Sequence, residues 1–248
     1  MNEITIKNVQ NTLLWCVALV AIALIATGAY RNRNRANDIV TVTGLAKRDF
    51  DSDLVAWNGR YSKRAPELKK AYEGLRNDTT VVKAFLEENK VEPGEMTFSS
   101  VNIEKEYEDE RDSKGNSKRT FKGYLLTQNV RVESKDLDRV ENVSRNVTSV
   151  IDKGIEFYSD APQYFYTKLG DLKVEMIAAA TQDGRTRAEK ISQNAGGKMG
   201  TLRFSSLGVF QITRPNTTAE ASSWEGAFDT TSRKKTASVT IKLQFGLL

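Results

Sequence analysis

Behind one unbroken apolar run near its start, the chain alternates between a two-residue and a three-to-four-residue hydrophobic rhythm. Segments 39–48 and 54–61, rich in Val, Thr and aromatic residues and separated by DFDSD, read as two strands. From Pro66 to Asn89, the residues Leu68, Ala71, Tyr72, Leu75, Val82, Phe85 and Leu86 recur at helical spacing, and Pro93-Gly94 marks the exit. Two long strands follow, about 95–109 and 119–133, joined by the polar tip DERDSKGNSK. In the second, Tyr124, Leu126, Val130 and Val132 alternate with Leu125, Thr127, Asn129 and Arg131, which predicts one buried face.

A second helix begins after Ser134, with Leu137, Val140, Val143, Val147, Val150 and Ile151 on its face and Gly154 as its break. A strand over roughly 154–167 leads into a third helix, about 171–195. Its stripe is Val174, Ile177, Thr181, Gly184, Ala188, Ile191 and Ala195, small enough in the middle to lie close against a sheet or another helix. Gly196-Gly197 stops it. The last strands cover about 201–213 and 235–246, the final one turning Ala237, Val239, Ile241, Leu243 and Phe245 inward. The order ββαββαβαββ predicts an α+β domain over 38–248, with antiparallel hairpins and three helices.

The apolar run, LLWCVALVAIALIATGAY over 13–30, holds no charge and would span roughly 27 Å as a helix. Leu13, Trp15, Val17, Leu19, Ile22, Leu24 and Tyr30 are its anchor positions, with Trp15 and Tyr30 near headgroup level. The chain thus divides into a short tail (1–12), a transmembrane signal anchor (13–30), a basic linker (31–37) and the α+β domain. The competing reading is a cleaved signal peptide with its site at Ala26-Thr27-Gly28. Against it, only Lys7 precedes the run as a basic residue, and the run continues to Tyr30.

Composition removes much chemistry. Among 248 residues there is no His and one Cys, so His-dependent triads, His general bases, His-ligated metals, internal disulfides and Cys-based zinc sites are all excluded. The formal charge of +5 also divides unevenly. Lys7, Arg31, Arg33 and Arg35 against Glu3 leave 33 basic and 31 acidic residues beyond position 37, too even a balance for a nucleic-acid footprint. AGGKMG (195–200) lacks phosphate-loop spacing and follows a helix instead of opening one. The acidic run EKEYEDERD (104–112) carries Lys105 and Arg111 and reads as a solvated strand edge, not a cation site. No catalytic residue, metal or cofactor is expected. The polar loop 213–235 is long for a connection and holds Trp224 and Phe228 four residues apart. Two readings of it stand: the rings contact a partner or neighbouring subunit, or they fold back over their own sheet edge.

The chain resembles the SIMPL-domain family of bacterial envelope proteins. The resemblance is carried by IVTVTGLAKRDFDSDLVAW, AFLEENKVEPGEMTFSSVNI, GYLLTQNVRVESKDLDRVENVSRNVTSVIDKGIEF, AAATQDGRTRAEKISQNAGGKMG, LRFSSLGVF and SVTIKLQFGL, in order across 38–248. It implies an α+β domain, usually periplasmic, without established catalytic residues, associated with oxidative and other envelope stress, and forming large rings in some members. Two departures are the retained anchor and the aromatic-bearing 213–235 loop. The arginine flank favours a cytoplasmic domain by the positive-inside rule; the family implies the periplasmic side of the bacterial inner membrane. The expectation is therefore a membrane-anchored, non-enzymatic homo-oligomer supporting stress tolerance, without nucleic acid and with an envelope protein as a further partner. The alternative is a monomeric module whose 213–235 loop holds a protein or cell-wall-related partner.

Overall fold

In the computed structural model, which describes residues 15–30, 38–111, 117–216 and 226–248, the domain is organised around two sheets, each with its own helices. Helix α1 covers residues 15–30. The first sheet contains β1 (Ile39–Asp51), β10 (Lys234–Leu247), β8 (Met199–Leu207) and β9 (Gln211–Thr213), in the order β1-β10-β8 with β9 further along β10. The second contains β2 (Leu54–Ala65), β3 (Met96–Phe98), β4 (Asn102–Arg111), β5 (Ser117–Ser134), β6 (Glu156–Ser159) and β7 (Gln163–Phe165), with β5 and β2 at its centre. All named pairings are antiparallel.

Helix α4 (Leu169–Asn194) covers the first sheet. Its buried row is Leu172, Met176, Ala180, Gly184, Ala188 and Ser192, which shares Gly184 and Ala188 with the expected stripe but not its apolar ends: Val174 is 71% exposed and Ile191 50%. Close approach decides the row. A Cβ on Gly44 of β1 would lie 2.0 Å from the Ala180 carbonyl oxygen and 2.7 Å from the Gly184 nitrogen, so two glycines let helix and strand meet backbone to backbone. The expected inward residues of β10, Ala237 to Phe245, are all buried against it.

The second sheet carries a thicker core. Trp57, Tyr61, Leu126, Val130 and Val132 face α2 (Leu68–Glu88) and α3 (Leu137–Asn146), and Phe157 stacks beside Trp57 and Tyr61 at ring separations of 6.0 and 6.1 Å. Asp136 caps α3 by accepting from the Arg139 N–H at 3.1 Å. After Asn146 the chain tightens into a 3-10 helix, Val147–Lys153. Its three-residue turn keeps Val147 and Val150 buried but carries Ile151, expected on the face, to 50% exposure. Leu68 and Tyr72, on the first turns of α2, also stay open to solvent.

The architecture is α+β with antiparallel sheets, as expected, but the element count is corrected. The 3-10 helix adds a fourth helix to the domain, and three expected long strands are each broken in two. The 95–109 strand divides at Ser99-Ser100-Val101, 154–167 at Asp160-Ala161-Pro162, and 201–213 at Gly208-Val209-Phe210. At the second break Pro162 offers no ladder N–H. Among the described residues no helix is long and apolar enough to cross a membrane. The sixteen described helical residues 15–30 reach about 24 Å, and Leu13 and Leu14, where the apolar run begins, lie outside the described residues.

Candidate functional site

Strands β4, β5, β2 and β6 turn their outward side chains onto the face opposite α2 and α3. Period-two alternation puts Arg60, Ser62 and Arg64 of β2 side by side there, with Thr127 and Leu125 on β5 and Glu156 and Tyr158 on β6 in register beside them. Together with Asn102 and Glu104 they line an open groove of about 450 Å³. Arg64 donates from Nε to Glu106 at 3.0 Å and from Nη1 to Glu156 at 2.6 Å. The Arg60 guanidinium lies 5.3 Å from the centre of the Tyr158 ring, and the Tyr158 hydroxyl donates to Glu156 at 2.9 Å.

This wiring sets the local charge. The Tyr158 hydroxyl, then Arg64, Ser62 and charge attraction, hold the Glu156 carboxyl below its ordinary range. The phenol is raised in turn by that hydrogen bond. The Glu156 carboxylate is thereby held charged beside Arg64, and the groove presents polar and charged groups to solvent. Among the described residues no group of His, Cys, Asp and Glu converges to hold a metal ion. Of the groove residues, Glu104 of the acidic run and the outward Leu125, Thr127 and Asn129 were marked by sequence pattern. The Arg-x-Ser-x-Arg alternation of β2 was a further legible signal, whereas the partners on β4 and β6 come from topology.

Residues 104–111 of the acidic run lie in β4, which among the described residues pairs with β5 alone, so Glu104, Glu106, Glu108 and Asp109 lie on a sheet edge as expected. Gly196 and Gly197 end α4 through N–H bonds to the Gln193 and Ser192 carbonyls, and Lys198 then pairs with Leu248. AGGKMG is thus a helix stop.

Of the two rings in the 213–235 loop, Trp224 lies outside the described residues. Phe228 is described: its segment returns beside β9, with Ile212 N–H donating to Ala227 O at 2.7 Å and Asp229 N–H to Ile212 O at 3.0 Å. The backbone is fastened to its own domain while the ring stays 51% exposed. Asp229 is the knot of this return. Burial opposes its ionisation, yet the Ser232 hydroxyl, the Thr231 N–H and hydroxyl, and the Lys235 ammonium outweigh it and bring the carboxyl to about 2. Lys235 is almost wholly buried and donates to the Asp229 carbonyl at 2.5 Å; burial lowers its pKa, against the pull of Asp229.

Two further surfaces are apolar and open. Every residue of α1 is exposed, Trp15, Val17, Leu19, Ile22, Leu24 and Tyr30 included. Strand β8 is exposed along 201–207, with Leu202 and Phe204 at 50% and Leu207 at 51%.

No curated protein matches the chain. Among solved structures it is similar to a de novo designed protein, Foldit4, at 16% identity over 43% of this chain and 93% of that one; the TM-score of 0.23 is too low to carry any argument. The model of the SIMPL family, described as a protein of unknown function (DUF541), matches residues 40–245, from the second residue of β1 almost to the end of β10. That span takes in both sheets, the groove and the 213–235 loop, and on it the chain belongs to the SIMPL family.

Proposed function

We propose that this chain is a membrane-anchored, non-enzymatic protein of the bacterial envelope that self-assembles, in a ring-like or other closed homo-oligomer, and supports tolerance of envelope or oxidative stress. The observation that carries the reading is α1. Its apolar side chains are all exposed, while the two cores of the domain are already closed by α2, α3 and α4. Such a surface requires an apolar environment from outside the domain, and a bilayer supplies one. The run from Leu13 to Tyr30 holds the chain in the inner membrane with the domain on the periplasmic side. Confinement to the membrane plane raises local concentration and favours assembly.

The first test is the mass of the full-length protein in mild detergent, by light scattering after size exclusion. A discrete particle of several subunits is expected. A monomer of 27.7 kDa plus detergent overturns the assembly part of the reading. Recovery of the chain in the soluble fraction after cell breakage overturns the anchored part.

One observation favours a second reading, a monomeric extracytoplasmic module whose 213–235 loop holds a protein or cell-wall-related partner: Phe228 presents half its surface from a fastened backbone. The double variant Trp224→Ala, Phe228→Ala separates the two. Loss of partner capture at unchanged mass supports the module, and loss of mass supports assembly.

A further inference from the structure

The strand edges of this domain are protected unequally. An unpaired edge presents free N–H and C=O groups, and folded proteins blunt such edges with charge, brevity or a covering element. The edge of β1 is covered: α4 leans over it, Asp183 accepts from the outward Leu45 N–H at 2.9 Å, and Arg48 pairs with Glu175. Strand β4 is charged. Strands β6 and β7 have four and three residues.

Among the described residues no element covers β8, and its register against β10 shifts only on the Leu202 side of Phe204, so Phe204–Leu207 is its regular stretch. Over nine residues the strand holds one charge, Arg203, and no proline. Helix α4 crosses β1 and β10 but barely reaches β8, so both of its faces are open. Its backbone is poised as well. Gly208 N–H donates to the Thr240 carbonyl at 2.8 Å, in register with Ser206↔Lys242 and Phe204↔Gln244. By the alternation of an antiparallel ladder, Ser205 and Leu207 turn their N–H and C=O groups away from β10.

We propose that β8 pairs, antiparallel and about a two-fold axis at Ser205, with β8 of a second copy of this chain, joining two four-stranded sheets into one. This rests on the assembly reading above and names its interface. The occupant is argued from self-complementarity. With the axis at Ser205, Phe204 faces Ser206 of the other copy, and Arg203, at the register shift, falls on the Leu207 side and not opposite its own counterpart. The large ring meets a small side chain, and the single charge never meets itself. Pairing satisfies the outward groups of Ser205 and Leu207 and covers Leu202, Phe204 and Leu207.

The test uses full-length protein in detergent carrying Cys16→Ser. Ser205→Cys is expected to cross-link under mild oxidation to twice the chain mass on a denaturing gel, because residues paired across the axis lie about 5.5 Å apart at Cα, within disulfide reach. Thr41→Cys on β1 is the control and is expected to stay uncross-linked. Ser205→Pro removes only an outward N–H, and Leu207→Lys charges the edge; each is expected to lower the particle mass at least two-fold with an unchanged circular dichroism spectrum. If the wild-type particle is an oligomer but Ser205→Cys gives no dimer and neither edge variant lowers the mass, the β8 interface is wrong and assembly stands. If the wild type is a monomer, both fall.

Discussion

The two sheets solve the same problem, covering one face with helix, in opposite ways. Beneath α4 the core is thin: Gly44 and Gly184 bring helix and strand backbones together, and the side chains between them are mostly Ala, Val, Leu and Met. Beneath α2 and α3 it is thick, built on Trp57, Tyr61 and Phe157, with the Tyr61 hydroxyl bonded to Gln128 at 2.8 Å and to Thr79 at 3.0 Å. Burial raises that phenol to about 12 despite the Thr79 bond, so it remains a neutral core group. A thin interface fails by addition of atoms and a thick one by their removal. The halves should therefore respond to opposite kinds of substitution.

The largest expected effect is in the thick half. Trp57 is fully buried and donates to the Ser159 hydroxyl at 3.0 Å, so Trp57→Ala empties a large volume in the core and loses that bond. Guanidinium unfolding should show a loss of about 3–5 kcal/mol. Native-state hydrogen exchange should show α2 amides opening before those of α4. Equal loss of protection in both helices would break the comparison.

Gly44→Ala is the mirror experiment. The added methyl meets the Ala180 carbonyl, a backbone atom that no rotamer change can move aside. A loss of about 3 kcal/mol is expected, with α4 now opening first. Gly94→Ala, where nothing lies within 4 Å, serves as the neutral control by the same melt.

Acid should act on the thin half through the Asp229 knot beside β9 and β10. Its folded pKa of about 2 lies below the ordinary 3.8, so its stabilisation is complete above pH 3.8 and is lost as pH falls through 2. The side chain is only 15% exposed, which makes the contribution roughly 2 kcal/mol. Stability against pH for Asp229→Asn should be lower at neutral pH and flatter across that window. Identical slopes for variant and wild type would remove Asp229 from the account.

What was legible in the sequence follows the same division. Strand β10 alternates cleanly because one face meets α4 and the other water, and Leu126, Val130 and Val132 of β5 were readable for the same reason. The α4 row was legible in its small middle, Gly184 and Ala188, but not towards its ends, where apolarity points to Val174 and Ile191 while Leu172 and Ser192 are the buried positions. Interruptions of three residues within 95–109, 154–167 and 201–213 hardly disturb a two-residue rhythm, so single strands were expected where pairs exist. The groove needed pairings between strands up to 92 residues apart, as for Arg64 and Glu156. The openness of β8 was hidden altogether. Leu202, Phe204 and Leu207 have the composition of a core strand, and only the reach of α4 exposes them.

The smallest effect on stability bears most directly on assembly. Asp183 is held below the ordinary carboxylate range, first by the Leu45 N–H and then by Arg187. Asp183→Ala removes a carboxylate–N–H bond at an exposed site, and about 1 kcal/mol should be lost in a thermal melt. Its second consequence is larger. With the Leu45 N–H unpaired, the β1 edge keeps α4 and the Arg48–Glu175 pair but offers a free donor on the same sheet as the open edge of β8. A contact between unlike edges closes into a ring only where its rotation allows and otherwise extends. A closed pair through β8 would then compete with an open-ended stack from β1 to β8. Light scattering should show particle mass rising with time and concentration in Asp183→Ala, while Asp183→Asn, which keeps an acceptor oxygen, stays near the wild-type mass. Mass growth in Asp183→Ala that survives Ser205→Pro would mean that β8 is not the edge being extended, and the contrast between a guarded and an unguarded edge would lose its meaning.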